Sequence, residues 1–333
     1  MINFAIVQFT KKHTEIFGTF IEIILRNKWN ITIYYDLEKD DYTFLPYYLD
    51  LFEFSIPIRP IKFLLENVSQ IQYFIFTSAS DNNYLPEEFK NSSLLLKKSI
   101  FIHHQYFHFQ SYMLKNIILS PIIRSSDLTK ATYILPIYKS YKKLHWKPNP
   151  KTIFAIIGGI RGNNSGTIFD RDINLIIEVL NKFPKLDFEF RFFMRKWDWI
   201  WVCKRFPIIK KHPKIKGFPS LPTKELIHHL HSIKFILPLA KKNGWFHNQR
   251  LTGSIPLAIN LNIPLILDNT LADIYDLKNS SICYENSLIE IIENVVNLPN
   301  SDYYNYIQKL VLLKKEITKN NEKQFINICL TKI

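Results

Sequence analysis

Strand-length apolar runs alternate with amphipathic helical stretches along the chain, and the alternation starts afresh near residue 150. In the first half, residues 2–9 read as a buried strand. Residues 14–27 carry helical spacing through Ile16, Phe20, Ile23 and Ile24. Further strands are expected at 30–35, 51–56, 72–77, 100–103 and 132–137, with helices near 61–68 and 87–92. Residues 144–150 (Leu-His-Trp-Lys-Pro-Asn-Pro) hold two prolines and no period, which places a linker there. The second half then gives strands at 152–157, 187–193, 234–238, 263–267 and 281–284. Helices are expected at 172–183, 223–231, 249–261, 288–296 and 303–318. Continuous apolar strands separated by helices build parallel sheets covered on both faces. The expected fold is therefore α/β: two Rossmann-like doubly wound domains facing across a cleft. They span residues 1–147 and 148–302, and a helical segment, 303–333, crosses back to the first. In such sheets ligands bind beyond the carboxyl ends of the strands.

Composition narrows the class. Of 333 residues, 47% are hydrophobic and 15% aromatic, enough for real cores and incompatible with a disordered chain. Three cysteines, Cys203, Cys283 and Cys329, are too few and too scattered for a disulfide framework or a zinc cluster, so a reducing compartment is the natural reading. The basic residues Lys11 and Lys12 follow the first apolar stretch instead of preceding it, unlike a secretory signal. No run reaches the roughly 18 apolar residues of a membrane-spanning helix. A cytoplasmic protein, at most peripheral at a membrane surface, is expected.

Charge is unevenly spread. The chain carries 43 Lys+Arg against 29 Asp+Glu, a formal +14. Residues 191–242 alone hold 13 basic residues against Asp198 and Glu225, a local +11. A composition rich in Ile, Lys and Asn explains a general lysine surplus but not this concentration. Such a field attracts nucleotide phosphates, nucleic acid or an acidic membrane face.

Two loops stand out. After strand 152–157 come Gly158, Gly159, Ile160, Arg161, Gly162, Asn163, Asn164, Ser165 and Gly166: half of the eight glycines within nine positions. Glycines let backbone approach a phosphate, and Arg161 can fork onto its oxygens. The loop matches neither GxGxxG nor GxxxxGK[ST]. A plain turn using positive φ is the alternative. The second loop runs from Asn243 to Pro256 and contains Arg250, Thr252, Gly253 and Ser254. Hydroxyls and amides at a helix start suit a ribose or a diphosphate, and equally make an ordinary N-cap.

Residues 232–238 (Ser-Ile-Lys-Phe-Ile-Leu-Pro), the turn and helix over 250–259 and the following 263–267 (Ile-Pro-Leu-Ile-Leu) resemble the donor half of GT-B glycosyltransferases. The likeness covers roughly 151–285 at motif level; over 1–145 it rests on the alternation of elements. It implies transfer of a sugar from a UDP- or GDP-type nucleotide-sugar donor to a hydroxyl of a glycan, lipid or protein. No metal or other cofactor is expected, because cationic side chains and amides neutralise the leaving diphosphate. The 158–161 loop then contacts the diphosphate, with Gly158, Gly159, Arg161, Asn163, Lys196, Arg250, Thr252, Gly253 and Ser254 as donor-binding candidates. The acidic E-x7-E pair of many retaining members is missing, with Leu257 near the second position. On the acceptor side, His13 and His103 are candidate catalytic bases.

Other features read less specifically. Asp170-Arg171-Asp172 matches a metal-binding DxD, yet it opens a helical run where Asp is a favoured cap. His228, His229 and His231 have helical spacing without a completing cluster. Residues 195–201 mix three tryptophans with Arg195 and Lys196, which suits either core packing or docking on anionic lipid. The expected partners are a nucleotide-sugar donor, a glycan or glycolipid acceptor and a peripheral membrane contact, without nucleic acid. The rival readings are an anionic-surface or nucleic-acid binding protein using 191–242, and a degenerate transferase scaffold.

Overall fold

The computed structural model describes residues 2–9, 16–35, 55–77, 85–103, 113–121, 131–137, 151–160, 170–242, 244–248 and 251–331. They fall into two compact units. One is drawn from residues 1–142, 249–251 and 316–333, the other from 143–248 and 252–315.

The first unit is built on seven parallel strands: β1 (Asn3–Gln8), β2 (Asn30–Tyr35), β3 (Ile58–Pro60), β4 (Tyr73–Phe76), β5 (Ser99–His103), β6 (Lys115–Ile118) and β7 (Thr132–Tyr133). Their order is β3-β2-β1-β4-β5-β6-β7. Successive side chains of a strand point to opposite faces, and here both faces are covered. Phe4 and Ile6 pack with Phe17, Phe20 and Ile24 of the helix Phe17–Arg26, while Ala5 and Val7 join Leu64, Phe89 and Leu95. That helix is buried from Phe17 through Ile24, including Thr19 and Glu22. Thr19 Oγ1 donates to the Ile137 carbonyl at 3.2 Å, and Glu22 is ion-paired with Arg26.

The second unit has six parallel strands: β8 (Thr152–Ile157), β9 (Phe188–Met194), β10 (Ile215–Pro219), β11 (Phe235–Ile236), β12 (Leu265–Asp268) and β13 (Ser281–Tyr284). Their order is β10-β9-β8-β11-β12-β13. Phenylalanines tie the strands together: Phe154 on β8 lies 5.3 Å from Phe190 on β9 and 5.9 Å from Phe235 on β11, between ring centroids. Leu175, Ile176, Val179 and Leu180 of the helix Asn174–Lys182 close one face of this core.

The C-terminal helix, Asn300–Leu330, outlasts the expected 303–318. Its first part belongs to the second unit, where Tyr303 meets Phe235 at 5.5 Å. Its last part belongs to the first, where Phe325 packs on Phe4 and Phe20, and Glu322 accepts from Arg26 and Asn27.

Several expectations are corrected. Residues 61–68 form two 3-10 turns, Ile61–Phe63 and Leu65–Asn67, in place of one helix. The strand expected at 51–56 falls largely outside the described residues, and pairing with β2 is made by Ile58–Pro60 instead. Strand β10, which contains Gly217 and Pro219, is not among the expected strands. As an edge strand it tolerates both, and Gly217 is needed there: a β-carbon would fall inside the Trp199 ring. Strand β6 hides behind the polar pair Lys115-Asn116; Lys115 is buried, with Nζ donating to the Cys329 carbonyl at 3.2 Å.

Candidate functional site

Both sheets follow the doubly wound order, in which the first strand of each unit is flanked by its second and its fourth. The order reverses between β8 and β11 in the second unit. In open α/β sheets the crevice beyond the carboxyl ends at such a reversal is where ligands bind. Because every strand of this sheet is parallel, the segments following β8, β9, β11, β12 and β13 all leave from one edge.

At the end of β8, Gly158 has φ +99°, in the left-handed region that glycine alone adopts freely. Its amide donates to the Phe193 carbonyl at 2.9 Å. A β-carbon here would stand 3.0 Å from the Arg171 guanidinium, and one on Gly159 would stand 2.9 Å from Asp198 Oδ2. Leu239, after Pro238 beyond β11, is buried with φ +51°, a strained conformation for a large side chain. The neighbouring segment locks it in place. Asp172 N–H donates to Leu239 O at 2.8 Å, Lys241 N–H donates to Asp170 O at 3.0 Å, and Arg171 bridges antiparallel to Ala240.

Arg171 sits under this reversal point. Its buried guanidinium donates to the Ile157 carbonyl at 2.5 Å, the Gly159 carbonyl at 3.3 Å and the Pro238 carbonyl. One side chain therefore joins the ends of β8 and β11. Burial lowers its pKa to about 10, opposed by Asp170 and Asp198, so it keeps its charge at neutral pH. The Phe246 ring lies 5.5 Å from the guanidinium carbon. Sequence reasoning named Arg171 only as the middle of a DxD; nothing in the spacing said that it, and not the aspartates, is the organising group. Asp172 acts as a local cap, accepting from the Asn174 amide at 3.1 Å.

A second polar centre lies at the end of β12. His247 Nδ1 is 2.8 Å from the Lys241 carbonyl and its Nε2 is 2.9 Å from Asp268 Oδ1. An acceptor at each nitrogen favours the doubly protonated ring. Burial pulls its pKa down, but the Asp268 hydrogen bond and charge, with the Lys241 carbonyl, outweigh burial and raise it above the usual value. Asp268 Oδ1 also accepts the Leu271 amide at 2.9 Å, capping the helix Asn269–Ile274. The pair pins the short helix Trp245–Asn248 to the sheet. Neither residue was singled out from the sequence, since they are 21 positions apart and belong to no motif.

The helix Ser254–Leu261 starts at Gly253, which has φ −60°, is exposed and, among the described residues, meets nothing within 4 Å of its would-be β-carbon. Among the described residues no side chain caps this helix start. Thr252 and Ser254 are buried, their hydroxyls 2.8 Å apart. An uncapped helix N-terminus with open space above a glycine offers amide donors and positive dipole to an anion.

Among the other sequence candidates, Lys196 is exposed at the first turn of the helix Lys196–Arg205, just beyond β9. Gly158, Gly159, Lys196, Thr252, Gly253 and Ser254 all belong to the second unit. His13, Arg161, Asn163 and Arg250 lie outside the described residues. In the first unit, His103 ends β5, where it is buried, with Nε2 3.0 Å from Asn116 Oδ1. Burial lowers its pKa to about 4, the Asn116 bond opposing, so the imidazole is neutral at physiological pH. His229 packs against Phe218, centroids 4.6 Å apart. Among the described residues no group of three or more His, Cys, Asp or Glu could hold a metal ion, and no helix is long and apolar enough to cross a membrane.

No protein-family model and no curated protein sequence matches the chain. Solved structures do. An alpha-glucosyltransferase in complex with UDP and DNA is similar at TM-score 0.62 and 12% identity, over 99% of this chain and 100% of that one. HepE of Anabaena, in complex with UDP and glucose, is similar at TM-score 0.63 and 8% identity, over 98% and 99%. The UDP-GlcNAc 2-epimerase of Methanocaldococcus jannaschii, bound to UDP-GlcNAc and UDP, gives TM-score 0.51 and 12% identity over 90% and 94%. The chain has the GT-B fold, with two parallel-sheet α/β domains as in the glycosyltransferases of that class.

Proposed function

We propose that this protein is a glycosyltransferase that moves a sugar from a nucleotide-sugar donor to an acceptor hydroxyl on a glycan, lipid or protein, without a metal. The observation that carries the reading is the carboxyl edge of the second sheet. There the reversal between β8 and β11, tied by Arg171, lies in the same unit as the uncapped helix start at Gly253. Structures of similar fold contain UDP, which supports a nucleoside diphosphate as the leaving group.

In this reading the amides and dipole at Gly253–Ser254 stabilise the charge that develops on the diphosphate as the glycosidic bond breaks. Arg161, Arg250 and Lys196 add cations from the loops that follow the strands. Such preorganised donors perform the task that a divalent ion performs elsewhere. Arg171 is a positioning residue, since its donors are committed to backbone carbonyls. His103 is buried and neutral, and its low pKa makes it a weak base at neutral pH. His13 remains the candidate base of the first unit.

The test is product analysis after incubating the protein with UDP- and GDP-sugars and a panel of glycan, glycolipid and peptide acceptors, with EDTA present. Transfer gives a free nucleoside diphosphate and a glycosylated acceptor in equal amounts. Conversion of the nucleotide sugar to an isomer without an acceptor would replace transferase by epimerase. No consumption of any nucleotide sugar would sink both.

A further inference from the structure

We propose that the outer face of the helix Lys196–Arg205 and the turn of helix that follows, Pro207–Lys211, dock this protein on an anionic lipid surface. Two tryptophans of this helix, Trp197 and Trp199, have different environments. Trp199 is turned inward, over Gly217 and 5.7 Å from the Phe192 ring. Trp197 is turned outward and is 79% exposed, and Ile200, one turn further on the same face, is 46% exposed. Lys204 continues that face at the next turn, Arg205 follows it in the chain, and Lys210 and Lys211 end the next helix, all exposed. The only acid of the helix, Asp198, points the other way, toward Gly159. The exposed face thus presents an indole and a branched aliphatic side chain in a helix that ends in exposed cations, with the one carboxylate of that helix turned toward Gly159.

Charge complementarity selects an anionic partner, and the apolar pair selects a bilayer over a nucleic acid. Indoles settle at the boundary between headgroups and acyl chains, and lysine stems lie along apolar surface while their ammonium groups reach lipid phosphates. Ile200 gives nothing to a phosphate backbone and cannot stack on a base, whereas it gains by entering the acyl boundary. Cations next to an anionic leaflet each strengthen binding about fivefold. The surface lies outside the residues assigned to donor binding, apart from its neighbour Lys196, so docking and turnover are separable.

The experiment is vesicle flotation with the full chain, using phosphatidylcholine vesicles with and without phosphatidylglycerol, read together with tryptophan emission. The expected result is binding only to the anionic vesicles, weakened by salt, with a blue shift of emission. Trp197→Ala/Ile200→Ala loses roughly tenfold in affinity and loses the shift. Lys204→Glu/Lys210→Glu loses binding, and both variants keep the wild-type melting temperature because these side chains are exposed. Unchanged vesicle binding by Trp197→Ala/Ile200→Ala overturns the proposal. So does failure to bind anionic vesicles, whether or not the same face binds RNA or duplex DNA.

Discussion

Replacing Arg171 by methionine removes the guanidinium that joins the ends of β8 and β11 while keeping most of the side chain's volume. The buried carbonyls of Ile157 and Pro238 and the partly buried one of Gly159 lose this donor. Each orphaned acceptor costs about 1–3 kcal/mol. Asp170 and Asp198 lose the cation that faces them, and the gain from no longer burying a charge offsets part of the total. Breaking such a buried arrangement from one side costs roughly 3–5 kcal/mol. For a unit of this size, one kcal/mol moves the melting temperature by about 2–4 °C, so a drop on the order of 10 °C is expected by calorimetry. Arg171→Lys should recover less than half of it, since a single ammonium cannot fork across carbonyls on two strands. A methionine variant melting within about 2 °C of wild type would show that the strand ends are held by something else, and the account of Arg171 as organiser would fail.

Three further perturbations test other parts of the structure. His247 has a raised pKa in the folded protein, so its pairing with Asp268 contributes fully below the unfolded value near 6.5 and fades as pH rises through the folded value. The melting-temperature gap between wild type and His247→Gln should therefore narrow from pH 6 to pH 9; a gap that widens would contradict the imidazolium assignment. Gly217→Ala drives a methyl into the Trp199 ring and should destabilise the second unit by about 1–3 kcal/mol, measured by urea unfolding. Phe325→Ala removes the aromatic that locks the end of the C-terminal helix between Phe4 and Phe20. It should cost about 3–5 kcal/mol and increase proteolysis near the C-terminus.

The alternation of apolar runs was enough to read two doubly wound sheets, because buried parallel strands such as Thr152–Ile157 and Asn3–Gln8 are nearly continuous in hydrophobicity. It failed where a strand is short, polar or at an edge, as in Lys115–Ile118 and Ile215–Pro219. The glycine run after β8 falls at the carboxyl edge of the sheet, where left-handed backbone requires glycine at 158 and a β-carbon on 159 would crowd Asp198. Arg171 and the His247–Asp268 pair were beyond reach for a different reason. Their roles depend on which way a side chain faces in three dimensions, and an Arg between two Asp reads as solvated until the fold buries it. The tryptophans of 197–201 show the same limit: spacing could not say that Trp199 packs inward and Trp197 outward.

The central claim is that the second unit holds a nucleoside diphosphate at the helix start beside Gly253. Isothermal titration of UDP, GDP, TDP and CMP into wild type and Gly253→Asp, with EDTA present, tests it most directly. Gly253 is exposed, has φ −60° and faces open space, so the aspartate fits without strain and sets a carboxylate where the phosphates would rest. The account predicts saturable binding of one nucleotide by the wild type, insensitive to EDTA, and its loss in a variant that melts normally. Equal binding by the variant, or no binding of any nucleotide by the wild type, would contradict it.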